Sequence, residues 1–585
     1  MMKKIGIGYE FFKDFTNENL YYVDKTLLIK DLIDKGGKVT LFTRPRRFGK
    51  TLALSMLRTF FELEYDRDGN VVDNSRYFAG MKIMAEGDEI LSMMGQYPVI
   101  NMSLKSAKQG DFYGSFIRLR EEIIGEFSRH SYVLKSDKLP DESKEKYMEL
   151  LNGLSIWNEK EKKFADRDDW NKGFKQECAK YASAIKTLSE CLKLYHDRDV
   201  IILIDEYDVP LENAYLRGFY ETMADFIRAL FESALKTNDS LKIAVVTGCL
   251  RISKESIFTG LNNLVINSIN SINFGEYFGF TQEETLDMLG AYGLDKDVDT
   301  VMKWYDGYLF GGSEVYNPWS VTYYVYDHVS APDCFAKPYW ANTSSNSIIK
   351  ELIEGAGDHM KAELENLISG GTIEKKIHED ITYEDIHDSE DNLWNFLFFT
   401  GYLKKVSERQ EGKDIYLTMR IPNYEIGYIY ENQIAAWFDR VVRLADRSDL
   451  YKSVVKKDIE EIARILSMTL RKSISTFDNA ESFYHGFLLS MLIGIPDYEA
   501  KSNREEGDGR PDIVLYPLNP GDPAYIFEIK TRRKYNEMDD GIQEAFGQIR
   551  EKKYEEGILD DGYAGVISYG VCFCKKSCAV GLHQR

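Results

Sequence analysis

Cysteine is scarce in this chain, with seven in 585 residues. An odd and sparse set excludes a disulfide framework and favours a reducing cytoplasm. Long apolar runs are also missing. The strongest run, near residues 487–495, is far too short to span a membrane, and the first fifteen residues lack the apolar segment of a signal peptide. We therefore expect a cytoplasmic protein that makes no membrane contact.

An excess of positive charge is missing as well. The net charge is −21, with 95 acidic residues against 74 Lys and Arg. Such a balance is not typical of a nucleic-acid-binding protein. The charge is uneven, however, because residues 441–585 carry 21 Lys and Arg against 24 Asp and Glu. This nearly neutral last third can hold a local basic groove, whereas the acidic remainder mainly promotes solubility.

Three apolar runs in the first half of the chain predict strands. They lie at residues 39–43, 200–204 and 241–247. Continuous apolar character of this kind is typical of strands that are buried on both faces of a parallel sheet. Helical patterns lie between the runs, and strands that alternate with helices predict a doubly wound, mainly parallel α/β sheet.

Two further patterns follow along the chain. Residues 281–440 are mostly helical, with aromatic-rich turns that we interpret as packing, base stacking being the alternative. Beyond residue 450, helices flank two short strands at 513–516 and 525–529. The chain is too long for one hydrophobic core. We place three regions, at 1–285, 286–440 and 441–585.

A phosphate-binding motif lies between the first strand and its helix. Residues 44–51 have the sequence Arg-Pro-Arg-Arg-Phe-Gly-Lys-Thr. Arg44 replaces the first glycine of a standard P-loop, so the loop must turn differently. Backbone N–H groups at the helix start would face phosphates, Lys50 would reach the β- and γ-phosphates of ATP, and the Thr51 hydroxyl would bind Mg²⁺. Four more loop residues join this nucleotide-binding set: Arg46, Arg47, Phe48 and Gly49.

A carboxylate pair follows the second strand. Asp205 and Glu206 come directly after the run at 200–204. A carboxylate at the C-terminal end of an apolar strand is suited to bind Mg²⁺, a role we assign to Asp205, and Glu206 would orient and deprotonate the attacking water. The alternative is a basic turn and an unrelated acidic turn. For Arg46 and Arg47 the roles left open are phosphate contact, nucleic-acid contact and plain surface charge.

These residues resemble the bacterial AAA-ATPase-like family, in which an ATPase-like part is followed by a nuclease-like domain. The resemblance rests on the loop at 44–51 and on five more segments, at 22–25, 205–208, 247–248, 256–263 and 339–343. It implies that Arg44 is a family trait and that Thr247 is a sensor of the γ-phosphate or the attacking water. It also implies assembly into a homo-oligomer.

A second constellation of charged residues lies in the last third. Asp512 begins one predicted strand, and Glu528 and Lys530 alternate in the next. Those two side chains share a face, while Phe527 and Ile529 pack on the other. A hairpin would bring the carboxylate of Asp512 beside that of Glu528, and such a pair suits Mg²⁺, with Mn²⁺ as a substitute. Lys530 would offset charge on water or phosphate. The alternative is a salt-bridged strand pair.

This segment resembles the PD-(D/E)xK nuclease superfamily. The resemblance implies a small restriction-endonuclease-like α/β domain. It adds Glu481 as a third metal-binding carboxylate, the alternative being a helix N-terminal acid that the helix dipole favours. It also adds Gln548 and Tyr554 as contacts to phosphate or substrate. Nearby basic residues at 532–534 are consistent with phosphate-backbone binding or with a solvated turn.

The two constellations together predict a function. We expect an ATP-binding protein in which nucleotide state regulates a metal-dependent nuclease, with DNA as the first nucleic acid to consider. The rival hypothesis is a nucleotide-switched interaction or nucleic-acid-binding protein whose nuclease-like domain does not cleave. The trio Asp512, Glu528 and Lys530 favours catalysis, while the acidic net charge favours the rival.

Overall fold

A computed structural model gives the fold. It describes residues 3–66, 68–153, 167–250, 257–258, 261–342, 349, 358–377, 383, 386, 389–433, 447–471, 481–502 and 509–584. The chain divides into two compact units. The first contains Met1–Ser345 and Thr372–Tyr428, and the second contains Asn346–Gly371 and Ile429–Arg585. Each unit therefore draws on two separate stretches of sequence.

The helices of the described residues are, in chain order, α1 (Phe12–Asn17), α2 (Leu27–Lys35), α3 (Lys50–Phe61), α4 (Asp88–Leu91), α5 (Phe112–Arg129), α6 (Asp141–Leu151), α7 (Arg167–Ala182), α8 (Ala184–His196), α9 (Val209–Arg217), α10 (Tyr220–Phe231), α11 (Gln282–Ala291), α12 (Val298–Tyr305), α13 (Pro318–Ser330), α14 (Asp358–Ile368), α15 (Glu390–Phe399), α16 (Ser448–Lys456), α17 (Ile459–Arg471), α18 (Glu481–Leu492), α19 (Met538–Glu551) and α20 (Tyr554–Asp560). Within the described ranges, none of them combines the length and apolar character needed to cross a bilayer.

A five-stranded parallel sheet organises the first unit. Its strands are β1 (Val39–Thr43), β2 (Val99–Ser103), β3 (Val200–Asp205), β4 (Leu241–Gly248) and β5 (Leu264–Asn267). Their spatial order is β2-β3-β4-β1-β5, and every pair is parallel. The predicted parallel α/β sheet is thus confirmed. Parallel strands all end at one edge, so residues that follow β1, β3 and β4 are brought together there.

The core of the first unit explains why these segments form strands. β1 and β3 are buried at every position. Side chains on one face of the sheet, among them Phe42, Ile201 and Leu203, pack against Leu54, Leu57 and Phe61 of α3. Helices cover both faces of such a sheet, which is why its strands show apolar runs rather than alternation.

Short strands accompany the helices in the middle of the chain. β6 (Tyr308–Phe310) and β7 (Ser313–Val315) form a hairpin. β8 (Ile373–Lys376), β9 (Lys404–Glu411) and β10 (Asp414–Arg420) form an antiparallel sheet in the order β8-β10-β9. β9 is mostly exposed and polar, so it lacks the apolar alternation by which a strand is detected in sequence.

A mixed sheet organises the second unit. Its strands are β11 (Tyr498–Ser502), β12 (Ile513–Pro517), β13 (Ala524–Thr531), β14 (Val566–Cys574) and β15 (Ser577–Gln584). They lie in chain order, and only the β13–β14 pair is parallel. Side chains of α17 and α18 pack with Tyr525, Phe527 and Ile529 of β13 in one apolar cluster. Ile526 belongs to a second cluster that includes Ile549 of α19 and Ile558 of α20.

Candidate functional sites

The loop between β1 and α3 takes its turn from two residues with left-handed backbone angles. Arg47 has φ of 72° and Gly49 has φ of 81°. Glycine adopts this conformation without steric penalty, whereas an arginine there is strained. Arg44 is not among the residues with positive φ. The loop therefore turns without a glycine at position 44, as its departure from the standard motif required.

Arg44 serves instead as a buried support for the loop. Its guanidinium donates hydrogen bonds to the carbonyls of Thr43 at 2.9 Å, Asn267 at 2.7 Å and Phe274 at 3.4 Å. It also lies over the rings of Phe278 and Phe310, at 5.1 and 5.3 Å from their centroids. Full burial lowers the pKa of Arg44 to about 9. The side chain thus ties the start of the loop to the segment after β5.

Lys50, Thr51 and Asp205 meet at the carboxyl edge of the sheet. Lys50 Nζ donates to the carbonyl oxygens of Arg44 at 2.8 Å and Pro45 at 2.9 Å. The Thr51 hydroxyl donates to Oδ2 of Asp205 at 2.6 Å. The hydroxyl oxygen of Thr51 and the two carboxylate oxygens of Asp205 are hard ligands of the type that Mg²⁺ prefers. The structure therefore brings together the lysine, hydroxyl and carboxylate that the sequence singled out.

Thr247 contacts the other oxygen of the same carboxylate. Its hydroxyl donates a short hydrogen bond to Oδ1 of Asp205. This contact follows from strand order, because β4 lies between β1 and β3. The next residue, Gly248, has room only for hydrogen, since a Cβ there would lie 2.5 Å from the ring of Tyr207. Thr247 is thus fixed between the P-loop strand and the acidic strand.

Glu206 lies beside this group in a strained conformation. Its φ is 52°, and its N–H donates to Oδ1 of Asp205 at 3.0 Å. Burial, followed by the charge of Asp205, raises the pKa of Glu206. Strained backbone at a cluster of ionisable groups is frequent at functional sites. A carboxylate whose pKa is raised is a stronger base, which suits it to accept a proton from water.

The other loop residues have different surroundings. Arg46 forms an ion pair with Glu212 of α9. The guanidinium of Arg47 lies 4.1 Å from the ring centroid of Trp319. Phe48 is buried, and its ring packs on Tyr308 and Phe310 at centroid distances of 4.9 and 5.1 Å. Phe48 thus anchors the loop in the core, while the two arginines remain at its surface.

A cavity of about 510 Å³ joins these groups. Its lining includes Arg46, Arg47, Gly49, Lys50, Thr51 and Glu206, together with Trp319 and Tyr323 of α13. Small-molecule sites commonly have volumes of roughly 300–1,000 Å³. The cavity has the size and the lining of a site for a nucleotide.

Two lining residues were missed by the sequence argument. Cys249 places its Sγ 3.7 Å from Nζ of Lys50. Asp208 is buried and accepts the backbone N–H groups of Cys249 and Leu250 at 2.7 and 3.1 Å. Asp208 thereby fixes the turn after β4. The sequence motif at 205–208 includes Asp208, but its position beside that turn depends on the pairing of β3 with β4.

The second site is built on the β12–β13 hairpin. The two strands are antiparallel, with Ile513 opposite Phe527. Asp512 precedes β12, and its Oδ2 accepts the N–H of Ile529 at 2.8 Å. The N–H of Asp512 points to Oε2 of Glu528 at 3.4 Å. The hairpin thus brings together the two carboxylates that are 16 positions apart in sequence.

Lys530 joins this pair. Its Nζ lies 3.3 Å from Oε1 of Glu528 and donates to Oε1 of Gln548 at 2.9 Å. The amide of Gln548 donates in turn to the Tyr554 hydroxyl at 3.4 Å, and that hydroxyl donates to the carbonyl of Arg510 at 3.1 Å. Residues from β13, α19 and α20 therefore form one connected network.

Glu528 is almost fully buried, with 1% of its surface exposed. Burial, and then the charge of Asp512, raises the pKa of Glu528 to about 7, although Lys530 opposes the shift. A carboxyl that is hard to ionise in the empty site is one that a cation stabilises strongly. The donor set therefore fits a divalent metal ion.

α18 contributes a histidine to the surroundings of this site. His485 is half-buried, and its Nε2 lies 2.9 Å from the carbonyl oxygen of Asp512. It therefore supports the backbone of the carboxylate-bearing turn. Glu481 is the first residue of α18, and its side chain lies outside the described residues.

The comparisons with known proteins agree with the folds of both units. A parallel sheet with a P-loop, followed by a mixed sheet with a paired-carboxylate hairpin, defines a two-part protein of ATPase-like and nuclease-like folds. Residues 6–258 match the AAA-ATPase-like family, described as predicted AAA-ATPase, and residues 479–582 match the PD-(D/E)XK nuclease superfamily. These two matches confirm the resemblance seen in the sequence for those segments.

A relative in Azotobacter chroococcum mcd 1 extends the likeness along the chain. It is described as an uncharacterized protein in the vnfD 5' region. The two chains are 26% identical over 427 residues, which covers 72% of this chain and 68% of the relative.

Proposed function

We propose that the protein binds and hydrolyses ATP with Mg²⁺ at the first site, and that nucleotide state regulates metal-dependent cleavage of nucleic acid at the second. One observation carries the first half of this proposal. The hydroxyls of Thr51 and Thr247 converge on the two oxygens of Asp205, beside Lys50 and at the edge of a nucleotide-sized cavity.

At the first site, each side chain has a defined task. Lys50 binds the β- and γ-phosphates, and Thr51 and Asp205 hold the magnesium ion, which offsets phosphate charge. Glu206 accepts the proton of the attacking water, in keeping with its raised pKa. Thr247 orients that water or the γ-phosphate.

At the second site, Asp512 and Glu528 hold Mg²⁺ or Mn²⁺. The bound ion supplies a nucleophilic water and stabilises charge on the phosphate. The ammonium group of Lys530, which Gln548 orients, contributes positive charge at the same place. DNA is the substrate we favour.

The rival is a nucleotide-switched protein that binds nucleic acid or a protein without cleavage. Two observations favour it. Glu528 is 1% exposed and is engaged by Lys530. The net charge is −21, which opposes the approach of a polyanion.

Cleavage of plasmid and linear DNA tests the proposal. The intact protein, Lys530→Ala and Lys50→Ala are compared with Mg²⁺ or Mn²⁺, with and without ATP. Lys452→Ala and Lys146→Ala serve as controls, because these lysines are exposed and pair with Asp449 and Glu142 on their own helices. We expect Lys530→Ala to abolish cleavage and Lys50→Ala to abolish its response to ATP.

Each contrary outcome has a clear meaning. Cleavage that survives Lys530→Ala reveals a contaminant and contradicts the nuclease. Cleavage that depends on Lys530 but ignores both ATP and Lys50→Ala supports the nuclease and contradicts its regulation. DNA binding without cleavage supports the rival, and RNA is then the next substrate.

A further inference from the structure

The two arginines of the nucleotide loop have different partners, one charged and one aromatic. Arg46 is paired with the carboxylate of Glu212. Arg47 lies over the ring of Trp319 at 4.1 Å, and among the described residues no carboxylate forms an ion pair with it. Arg46 is therefore neutralised by the protein, whereas Arg47 is not.

An aromatic partner fixes a cation without cancelling its charge. The attraction arises from the quadrupole of the ring, which carries no net charge. A guanidinium held by Trp319 therefore keeps its full positive charge for an anion. Arg47 also lines the cavity that Lys50 and Thr51 line, and it lies three positions before Lys50 in the loop.

Trp319 is itself held firmly at the start of α13. Its backbone N–H donates a hydrogen bond of 3.0 Å to Oδ1 of Asn317, the N-cap of the helix. Its ring contacts that of Tyr323 at a centroid distance of 4.7 Å. Because the ring is supported from its own helix, it can hold a side chain from a distant loop in one orientation.

The next residue adds a buried anchor. The Ser320 hydroxyl lies 3.0 and 2.8 Å from the two oxygens of Glu425, which also accepts the N–H of Trp340 at 2.7 Å. Glu425 has no exposed surface, and burial raises its pKa to about 7. A buried carboxyl whose hydrogen bonds are satisfied rigidifies the first turn of α13.

We propose that Trp319 is a positioning residue of the nucleotide site, which holds the Arg47 guanidinium toward the polyphosphate chain of a nucleoside triphosphate. This inference rests on the proposed nucleotide site. It also specifies the class of ligand. The contribution of Arg47 to affinity depends on the negative charge of the phosphates, so it should be largest for ATP, smaller for ADP and smallest for AMP. In this proposal Trp319 acts through Arg47 and does not contact the base of the nucleotide.

A double-mutant cycle tests the proposal. Affinities for Mg²⁺-ATP, ADP and AMP are measured by calorimetry on the full chain and on Arg47→Met, Trp319→Ala, Trp319→Phe and the Arg47→Met/Trp319→Ala double variant. We expect Arg47→Met to weaken ATP binding about tenfold, as for a lost charge-assisted contact. Trp319→Ala should weaken it roughly 2- to 5-fold. The double variant should match Arg47→Met alone, and Trp319→Phe should restore most of the affinity.

The control is Trp304→Ala, since Trp304 of α12 packs on Tyr305 and Tyr424 instead. It should leave all three affinities unchanged. Equal losses for ATP and AMP in Trp319→Ala, or losses that add fully in the double variant, would overturn the positioning role. The proposed function fails in a different way: the unaltered protein then binds no ATP, or Lys50→Ala binds it normally.

Discussion

Thr51 donates a 2.6 Å hydrogen bond to Asp205, although 154 positions separate them in the chain. Thr247 occupies the other oxygen of that carboxylate. A hydroxyl and a carboxylate at this separation lie close enough to bind one cation together.

Glu206→Gln should separate ATP binding from ATP hydrolysis. The amide keeps the shape of the side chain but cannot accept a proton, so hydrolysis should fall about 100-fold or more, while Mg²⁺-ATP affinity should change little. Phosphate release and calorimetry on the same preparation measure the two effects. Glu221→Gln, at an exposed position of α10, is the matched control. Hydrolysis at the original rate would remove Glu206 from the mechanism.

The raised pKa of Glu206 adds a pH dependence. Because the carboxyl must be ionised to accept a proton, the rate of hydrolysis should fall as pH drops through that raised pKa. The profile should lose this acidic limb in Glu206→Gln.

Arg44→Gly should destabilise the first unit, even though it restores the glycine of a standard P-loop. The change leaves three buried carbonyl contacts and two ring contacts unmade. Each unpaired buried acceptor costs about 1–3 kcal/mol, so we expect a loss of roughly 3 kcal/mol or more. Thermal unfolding measures it, with Arg118→Ala on α5 as an exposed control. An unchanged melting temperature would show that Arg44 does not support the loop.

Asp512→Asn should remove the metal site of the second unit without disturbing its hairpin. The amide oxygen can still accept the N–H of Ile529, which Oδ2 of Asp512 accepts now. One negative ligand is lost, however, so affinity for Mn²⁺ should fall at least about tenfold. Calorimetry on the nucleotide-free full chain measures it, compared with Asp522→Asn in the exposed β12–β13 loop. Equal Mn²⁺ binding by both variants would contradict a metal site at Asp512.

Glu528→Gln should stabilise the metal-free protein at alkaline pH. The folded pKa is about 7, above the ordinary value of 4.5, so the folded state keeps a proton that the unfolded chain releases. Stability contributed by this group is therefore present below about pH 4.5 and is lost as pH rises toward and through 7. The loss is at most about 3 kcal/mol, at about 1.4 kcal/mol per pH unit.

Thermal unfolding in a chelator measures this difference. The advantage of Glu528→Gln over the unaltered protein should be small near pH 5 and should grow by pH 8. Glu499→Gln, exposed on β11, should show no such trend. If the difference in melting temperature between the unaltered protein and Glu528→Gln stays constant across this pH range, the buried carboxyl does not have a raised pKa.

Much of the fold could be predicted because its strands are buried on both faces. The run that forms β3 is apolar from Val200 to Ile204 and is followed by Asp205, so the sequence predicts both the strand and the sheet edge at which this carboxylate lies. The alternation in β13 likewise gives the shared face of Glu528 and Lys530. In both cases local sequence and tertiary burial impose the same pattern.

Other features depend on contacts that sequence spacing does not encode. Burial of an arginine at position 44 contradicts the usual preference of that residue for the surface. Trp319 was interpreted as packing, because its partner Arg47 lies 272 positions away and no local pattern connects them. The polar strand β9 becomes visible only through its pairing with β10.

The packing of β13 links the stability of the second unit to the geometry of its charged site. Side chains alternate along a strand, so a slip of one residue would move Glu528 and Lys530 to the face that packs on α17 and α18, and Phe527 and Ile529 to the opposite face. The same apolar residues that keep the second unit folded therefore prevent the charged trio from drifting out of alignment. Mutations that weaken this packing should therefore make the distances between the charged groups more variable, even when the domain stays folded.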